Sequence, residues 1–491
     1  MLSSAWVLGA SFAYLLLLFT VAGWADRRAA AGRSVIGNAW VYALSMAVYC
    51  TAWTYFGSVG RAASGGVWFL PIYLGPMLAM LLAWLVLRKM IRIARTHRIT
   101  SIADFIASRH GKSPLLAGLV TLITVVGIVP YIALQLKAIA AGYAVLTTTP
   151  GVAGPAAALP WWGDSTLYVA LALAGFTMVF GTRHLEADER HEGLVAAIAF
   201  ESLVKLLAFL AVGVFVTWGL FSGPADLFAR AAAVPDLARL LTLGQGQPFP
   251  YAQWAALTVL AMLSVLMLPR QFQVMVVENV DERHLRRAAW VFPAYLLLIN
   301  LFVLPIALGG LLYLQGRSGV NADMFVLSLP LDAGWHGLAL LAFVGGLSAA
   351  TGMVIVEAIA VATMVCNDLV MPLLLRFDAV ARRHHLAGQW RPRMEKNGVW
   401  RDAREQQRRH QQPKCAHQSS SPRHSSTDSH MRGRLATSWW SSSSNERVTF
   451  GRRDAKCSTG PGATTVSRSP WKISVGCVND ASSGSWRSES A

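Results

Sequence analysis

Apolar residues fill most of the chain in long runs, separated by short polar breaks that carry glycine, proline or charge. Runs of this length match a hydrocarbon core of ~30 Å, which a helix crosses in ~20 residues. The pattern predicts about nine transmembrane helices: Ser4–Trp24, Gly37–Ser58, Val67–Leu87, Leu115–Leu146, Thr166–Gly181, Gly193–Phe221, Tyr251–Leu268, Ala288–Leu314, and a ninth from near Trp335 to about Val370. The first run has neither a basic leader nor a small-residue cleavage site, so it is expected to be a retained helix.

Two shorter pieces break this rhythm. Ser101 precedes Ile102 with Asp104 three residues on, an N-cap pattern that predicts a short amphipathic helix between spans. Residues 224–241 carry Leu227, Phe228, Leu237, Leu240 and Leu241 at spacings that suit an interfacial helix. From about Gln389 the apolar periodicity ends and Ser, Arg, His and Gln dominate, a composition with no core to bury. The chain therefore divides into a membrane domain over residues 1–375 and a basic, Ser/Arg-rich tail over 376–491, either disordered or frameshifted.

Composition agrees with a membrane protein. Charged residues make up 14% of the 491 and apolar ones 54%, against roughly 25% charged in a soluble domain. The net charge of +17 invites a nucleic-acid reading, but no aromatic–basic RNA motif or zinc-finger spacing accompanies it. Instead the cations alternate between loops. One set holds Arg27, Arg28, Arg33, Arg88, Lys89, Arg92, Arg95, Arg98, Arg109, Lys112, Arg183, Arg190, Arg270, Arg283, Arg286 and Arg287; the other holds only Arg61, Arg230, Arg239 and Arg317. That asymmetry predicts a multi-pass protein of the cytoplasmic (inner) membrane with its N-terminus outside, the bilayer as one partner and nucleic acid as none. Cys50, Cys366, Cys415, Cys457 and Cys477 form no CxxC pair, so neither a disulfide framework nor a metal site is expected.

Chemistry is sought where polarity enters an apolar span at a cost. The second span carries Thr51, Thr54, Gly57, Ser58 and Gly60 and runs into Gly65 and Gly66. It reads either as a broken helix whose backbone carbonyls serve an ion or solute, or as close packing of small residues. Glu201 and Lys205 stand four apart in the sixth span and are expected to form an ion pair, structural or on a solute path. Gln135 and Lys137 lie in the fourth span. Glu357 stands in the ninth without a local partner and is the best functional carboxylate. Ser348 and Thr351 in the same span offer hydroxyl oxygens to a small cation, though such hydroxyls also bond back to the preceding turn. There is no Walker loop, GxSxG or HExxH motif, and His191-Glu192 reads as a solvated loop pair. An enzyme is not expected.

Several stretches taken together resemble the sodium/solute symporter family. Ala52–Gly66 (AWTYFGSVGRAASGG) is similar to its second helix and following loop, Ser101–Gly111 (SIADFIASRHG) to its connector, and Pro130–Ala138 (PYIALQLKA) to its fourth helix. Phe180–Glu192 (FGTRHLEADERHE) and Leu268–Val274 (LPRQFQV) resemble the branch fused to sensor histidine kinases. The resemblance covers roughly residues 1–375. It implies an all-α, leucine-transporter-like fold of two inverted repeats, the second incomplete here, and secondary transport of an amino acid or carboxylate coupled to Na+ or H+. The alternative it implies is a sensory input domain acting on a response regulator through a kinase module that this chain lacks. It places carbonyl ligands for an ion near Ala47 and Cys50, a solute-facing side chain near Thr54, and Gly352-Met353 where symporters have a Ser/Thr pair. Ser348 and Thr351 lie within a turn of that position.

Overall fold

The computed structural model describes residues 2–147, 191–244, 248–315, 317 and 320–374, with isolated helical positions between 167 and 178. Apart from those positions, the span expected over Thr166–Gly181 lies outside the described residues, as do the stretch 180–190 and the tail expected over 376–491. Among the described residues all regular structure is helical.

α1 (Ser4–Ala30) is one unbroken apolar helix. α2 (Ala39–Ser45) starts on Asn38, whose side chain accepts the Trp40 N–H, and tightens into the turn Met46–Tyr49. Helical geometry then stops: Cys50 is extended, at φ −78° and ψ 100°. The chain re-enters helix through the wide turn Trp53–Gly57 and α3 (Ser58–Gly65). After the turn Gly66–Phe69, α4 (Pro71–Leu81) departs at 62°. The second expected span is thus interrupted at Cys50, the broken-helix reading of its hydroxyls and glycines rather than the close-packing one.

α5 (Leu87–His97) and α6 (Ile102–Arg109) follow, the latter capped as expected by Ser101 Oγ accepting the Asp104 N–H at 3.0 Å. α7 (Pro114–Thr147) and α8 (Glu192–Val214, continued through Phe215–Leu220) are long spans. α9 (Pro224–Ala233) and α10 (Pro235–Leu240) bury Leu227, Ala231 and Leu240. α11 (Pro250–Ser264) bends by 53° into α12 (Pro269–Phe272), which continues to Val277. α13 (His284–Leu301) and α14 (Val303–Tyr313) make one span. The remainder is α15 (Phe325–Asp332), α16 (His336–Met364, continued through Val365–Val370) and α17 (Met371–Leu374). Many of these helices begin on proline, which loses nothing there because the first N–H groups have no intrahelical partner.

Among the described residues, five helices are long and apolar enough to cross a membrane, or up to seven if each bent pair counts as one span. In α7 only 11% of the most apolar stretch is buried, whereas in α16 the share is 83%. α7 therefore belongs to the perimeter and α16 to the centre. Trp6, Leu16, Val126 and Leu207 are each at least 64% exposed on outward faces. So much exposed apolar surface is stable only against lipid; this is a multi-pass membrane protein. α16 lies against α8, α7 and α1, and α8 against α1 and α2, so the centre is built on α16 and α8, with α1, α2 and α7 packed around them.

At the cation-rich end, α5 faces the loop before α13. Glu282 accepts from Arg92 at 2.8 and 2.9 Å and from Arg88 at 3.2 and 3.4 Å, while Arg95 donates to the Asn279 side chain at 2.7 Å. Arg92, then Arg88, holds the Glu282 carboxyl down at about 2 from an ordinary value of 4.5. A carboxylate depressed in this way stabilises the folded chain above its unfolded pKa and loses that contribution as pH falls. Thermal stability should therefore show a Glu282-dependent decline between about pH 4.5 and 2, missing in Glu282→Gln. Superimposable pH profiles for the two proteins would show that the clamp adds nothing, the usual outcome for isolated surface pairs.

Candidate ion and solute site at the break in the second span

Breaking a helix inside a membrane leaves backbone groups that the protein must satisfy itself. Here side chains from three other spans do so. The Lys205 ammonium on α8 donates to the carbonyl oxygens of Ala47 and Cys50, at 2.8 Å each. Gln135 on α7 accepts the Ala52 N–H on Oε1 at 3.0 Å. Gln271 on α12 donates to the Met46 carbonyl at a long 3.4 Å. Thr51 at the break lies 3.3 Å from the Tyr131 hydroxyl of α7 and accepts the Trp53 N–H.

One turn before Lys205, Glu201 faces α16. Its Oε1 accepts from the Thr351 hydroxyl at 2.6 Å, and its backbone carbonyl accepts from Ser348 at 2.9 Å. All four side chains are at most 2% exposed. Gly352 is what makes room for the carboxylate: a Cβ there would stand 2.2 Å from Glu201 Oε2. The ion pair expected between Glu201 and Lys205 is not what forms. No contact within ion-pair distance joins them; each is spent on a different helix, Lys205 on the break and Glu201 on α16. The Glu201 carboxylate is turned to the Thr351 hydroxyl on α16, while the Lys205 ammonium reaches the two carbonyls at the break, where the end of the half-helix carries partial negative charge.

Glu357 also has a partner that the sequence did not offer. Its Oε2 accepts from Arg270 Nη1 at 2.9 Å, with both side chains at most 3% exposed. Arg270 was expected in a loop with the other cations. Pro269 instead starts α12 after the 53° bend and carries the arginine into the interior, and the loop bias survives its removal. The guanidinium carbon lies 5.2 Å from the centre of the Tyr131 ring. Arg270 Nε, Glu357 Oε1 and Gln271 Oε1 have no hydrogen-bond partner among the described residues.

The expected site residues thus fall into three linked groups. Ala47, Cys50 and Gln135 meet at the break; Ser348 and Thr351 meet Glu201; Glu357 meets Arg270, beside the Tyr131 that touches Thr51. The last link brings Gln135 and Glu357 into one neighbourhood. Thr54 is buried in the turn after the break, next to Tyr73 and Ser58. The loop pair His191-Glu192 needs correction as well: His191 Nδ1 lies 2.8 Å from Glu278 of the α12–α13 loop, a residue only 3% exposed. Reasoning from sequence missed Arg270, Tyr131 and Gln271. A lone buried acid in an apolar span was the available signal, because it calls for a buried cation somewhere.

The helices that carry these groups follow a known fold. The chain is similar to a Na+-coupled sialic acid symporter solved in a substrate-bound, outward-open state, at 14% identity with a TM-score of 0.52 over 74% of each chain. The fold is leucine-transporter-like. In sequence, the chain is 28% identical over 299 residues to the uncharacterized symporter YhjB of Bacillus subtilis (strain 168), covering 60% of this chain and 56% of that one. It is 38% identical over 104 residues to the uncharacterized symporter YodF of the same organism, 21% of each. The chain spans little more than half the length of these relatives at most. No family model matches it. These relatives are described as transporters and not as enzymes, and neither is described as fused to a kinase.

Proposed function

We propose that this chain forms the core of a secondary transporter that moves a small organic solute across the cytoplasmic membrane, coupled to an ion gradient. The basic loops face the cytoplasm and the N-terminus lies outside. The observation that carries this reading is the break at Cys50–Thr51, held open by buried polar side chains of α7, α8 and α12. A helix broken at membrane depth with its backbone groups turned to a polar cluster is the usual place for a transporter to hold solute and ion. A symporter-like sequence and fold support the same conclusion.

The donors at the break support a solute class. Arg270 with its unpartnered Nε, Thr51, Thr54 and Gln135 suit a carboxylate, and Glu357 suits an amino group, so an amino acid or carboxylate fits best. The full chain in detergent should be screened by thermal shift against L-amino acids and small monocarboxylates. At least one should raise the melting temperature, and Gln135→Ala should abolish that rise while leaving the unliganded melting temperature within a few degrees. A rise unchanged in Gln135→Ala and in Thr54→Ala would move the solute away from the break.

A further inference from the structure

Lys205 occupies the place where the symporter resemblance puts a cation. The resemblance places carbonyl ligands of an ion near Ala47 and Cys50, and in the structure both carbonyl oxygens receive the Lys205 ammonium at 2.8 Å. Ala47 lies in the tight turn Met46–Tyr49 at the C-terminal end of the first half-helix, and Cys50 is the first extended residue after it. The helix dipole there presents partial negative charge, which a cation neutralises. We propose that this position is filled by the chain itself: Lys205 is a tethered cation that locks the broken helix to α8, and Na+ does not bind there.

Two independent features support this. First, a free cation on the same two oxygens would stand against the ammonium, and like charges at such distances in a low-dielectric interior repel strongly. Second, the opposite wall of the expected ion site has changed in step. Where the resemblance implies a hydroxyl-bearing residue, the chain has Gly352, and the space a side chain would take is held by the Glu201 carboxylate, 2.2 Å from an added Cβ. Thr351 and Ser348, the remaining hydroxyls on that wall, are spent on Glu201. The carbonyl ligands thus remain, while the ion and the free hydroxyls of the α16 wall give way to two protein groups one turn apart on α8. Around this turn, α1 contributes Tyr14, α2 Cys50, α12 Arg270, α13 Tyr295 and α16 Glu357 as ionisable groups. The inference deepens the transport reading and rests on it for its meaning.

The test reads the site without any solute, so its failure is distinguishable from a failure of transport. Cys50 lies in the break and is 1% exposed. In a full-length chain with Cys366, Cys415, Cys457 and Cys477 replaced by Ser, the rate of Cys50 alkylation by N-ethylmaleimide reports how firmly the break is held. The rate is expected to be the same in NaCl and in choline chloride. Lys205→Ala is expected to speed it at least about tenfold, the lower end for losing hydrogen bonds from a charged group, and added Na+ should then slow it by occupying the vacated carbonyls. Slower alkylation of the lysine-bearing chain in Na+ would overturn the proposal. So would a Lys205→Ala chain that alkylates as slowly as its parent in choline. The Na+ comparison on the parent chain decides the matter even if the variant fails to fold.

Discussion

Replacing Glu357 by Gln should destabilise the chain by about 3–5 kcal/mol, the usual cost of removing one partner of a buried ion pair. Glu357 is fully buried on α16 and supplies the carboxylate 2.9 Å from Arg270. Without it the guanidinium keeps the Tyr131 ring at 5.2 Å but no counter-charge within ion-pair distance. The cost arises from the charge left behind, so the double change Arg270→Gln with Glu357→Gln should recover part of the loss. Solute uptake should be lost in both variants, because the pair borders the break. Thermal unfolding in detergent measures the first effect and uptake the second. A Glu357→Gln chain that melts with its parent and transports as well would show that the pair neither holds α12 to α16 nor serves the solute.

Gly66→Ala is expected to be at least as damaging. Gly66 turns the chain from α3 toward α4 with φ 53° and ψ −128°, a conformation that residues with a Cβ avoid. A Cβ there would also stand 1.7 Å from the carbonyl oxygen of Leu240, at the end of α10. Backbone atoms have no rotamer by which to move aside. Strain and overpacking together should cost about 3 kcal/mol or more. The consequence reaches the site because α3 is the second half of the broken helix. Size-exclusion chromatography of a fluorescent fusion should show little monodisperse protein; a normal profile with an unchanged melting temperature would mean that α10 does not press on this turn.

The long spans α1, α7, α8, α13–α14 and α16 were legible because lipid demands long apolar helices, and the cap at Ser101 because its side chain acts on a neighbour three residues away. The hydroxyls and glycines of the second span allowed a break and close packing equally, because both follow from small residues in an apolar helix. Partners far apart in sequence were not legible. Lys205 and Glu201 looked like a pair because spacing reports only their own helix; the carbonyls of Ala47 and Cys50 and the hydroxyl of Thr351 reach them from α2 and α16. Arg270 was misplaced for a related reason. A proline followed by an arginine looks like the end of a span, whereas here Pro269 begins a helix that bends back into the bundle. Gly352 was noticed as a departure from the resemblance, and its cause, the Glu201 carboxylate, appears only once two helices are packed.

The central claim is transport built on the break, and the most direct measurement is accumulation of a radiolabelled solute from the thermal-shift screen into proteoliposomes holding the full chain. Under an inward ion gradient the solute should rise above its external concentration and fall back when an ionophore collapses that gradient, with no accumulation for Glu357→Gln. Solute that never exceeds equilibration under either a Na+ or a proton gradient, from protein shown to bind it, would contradict ion-coupled transport by this chain.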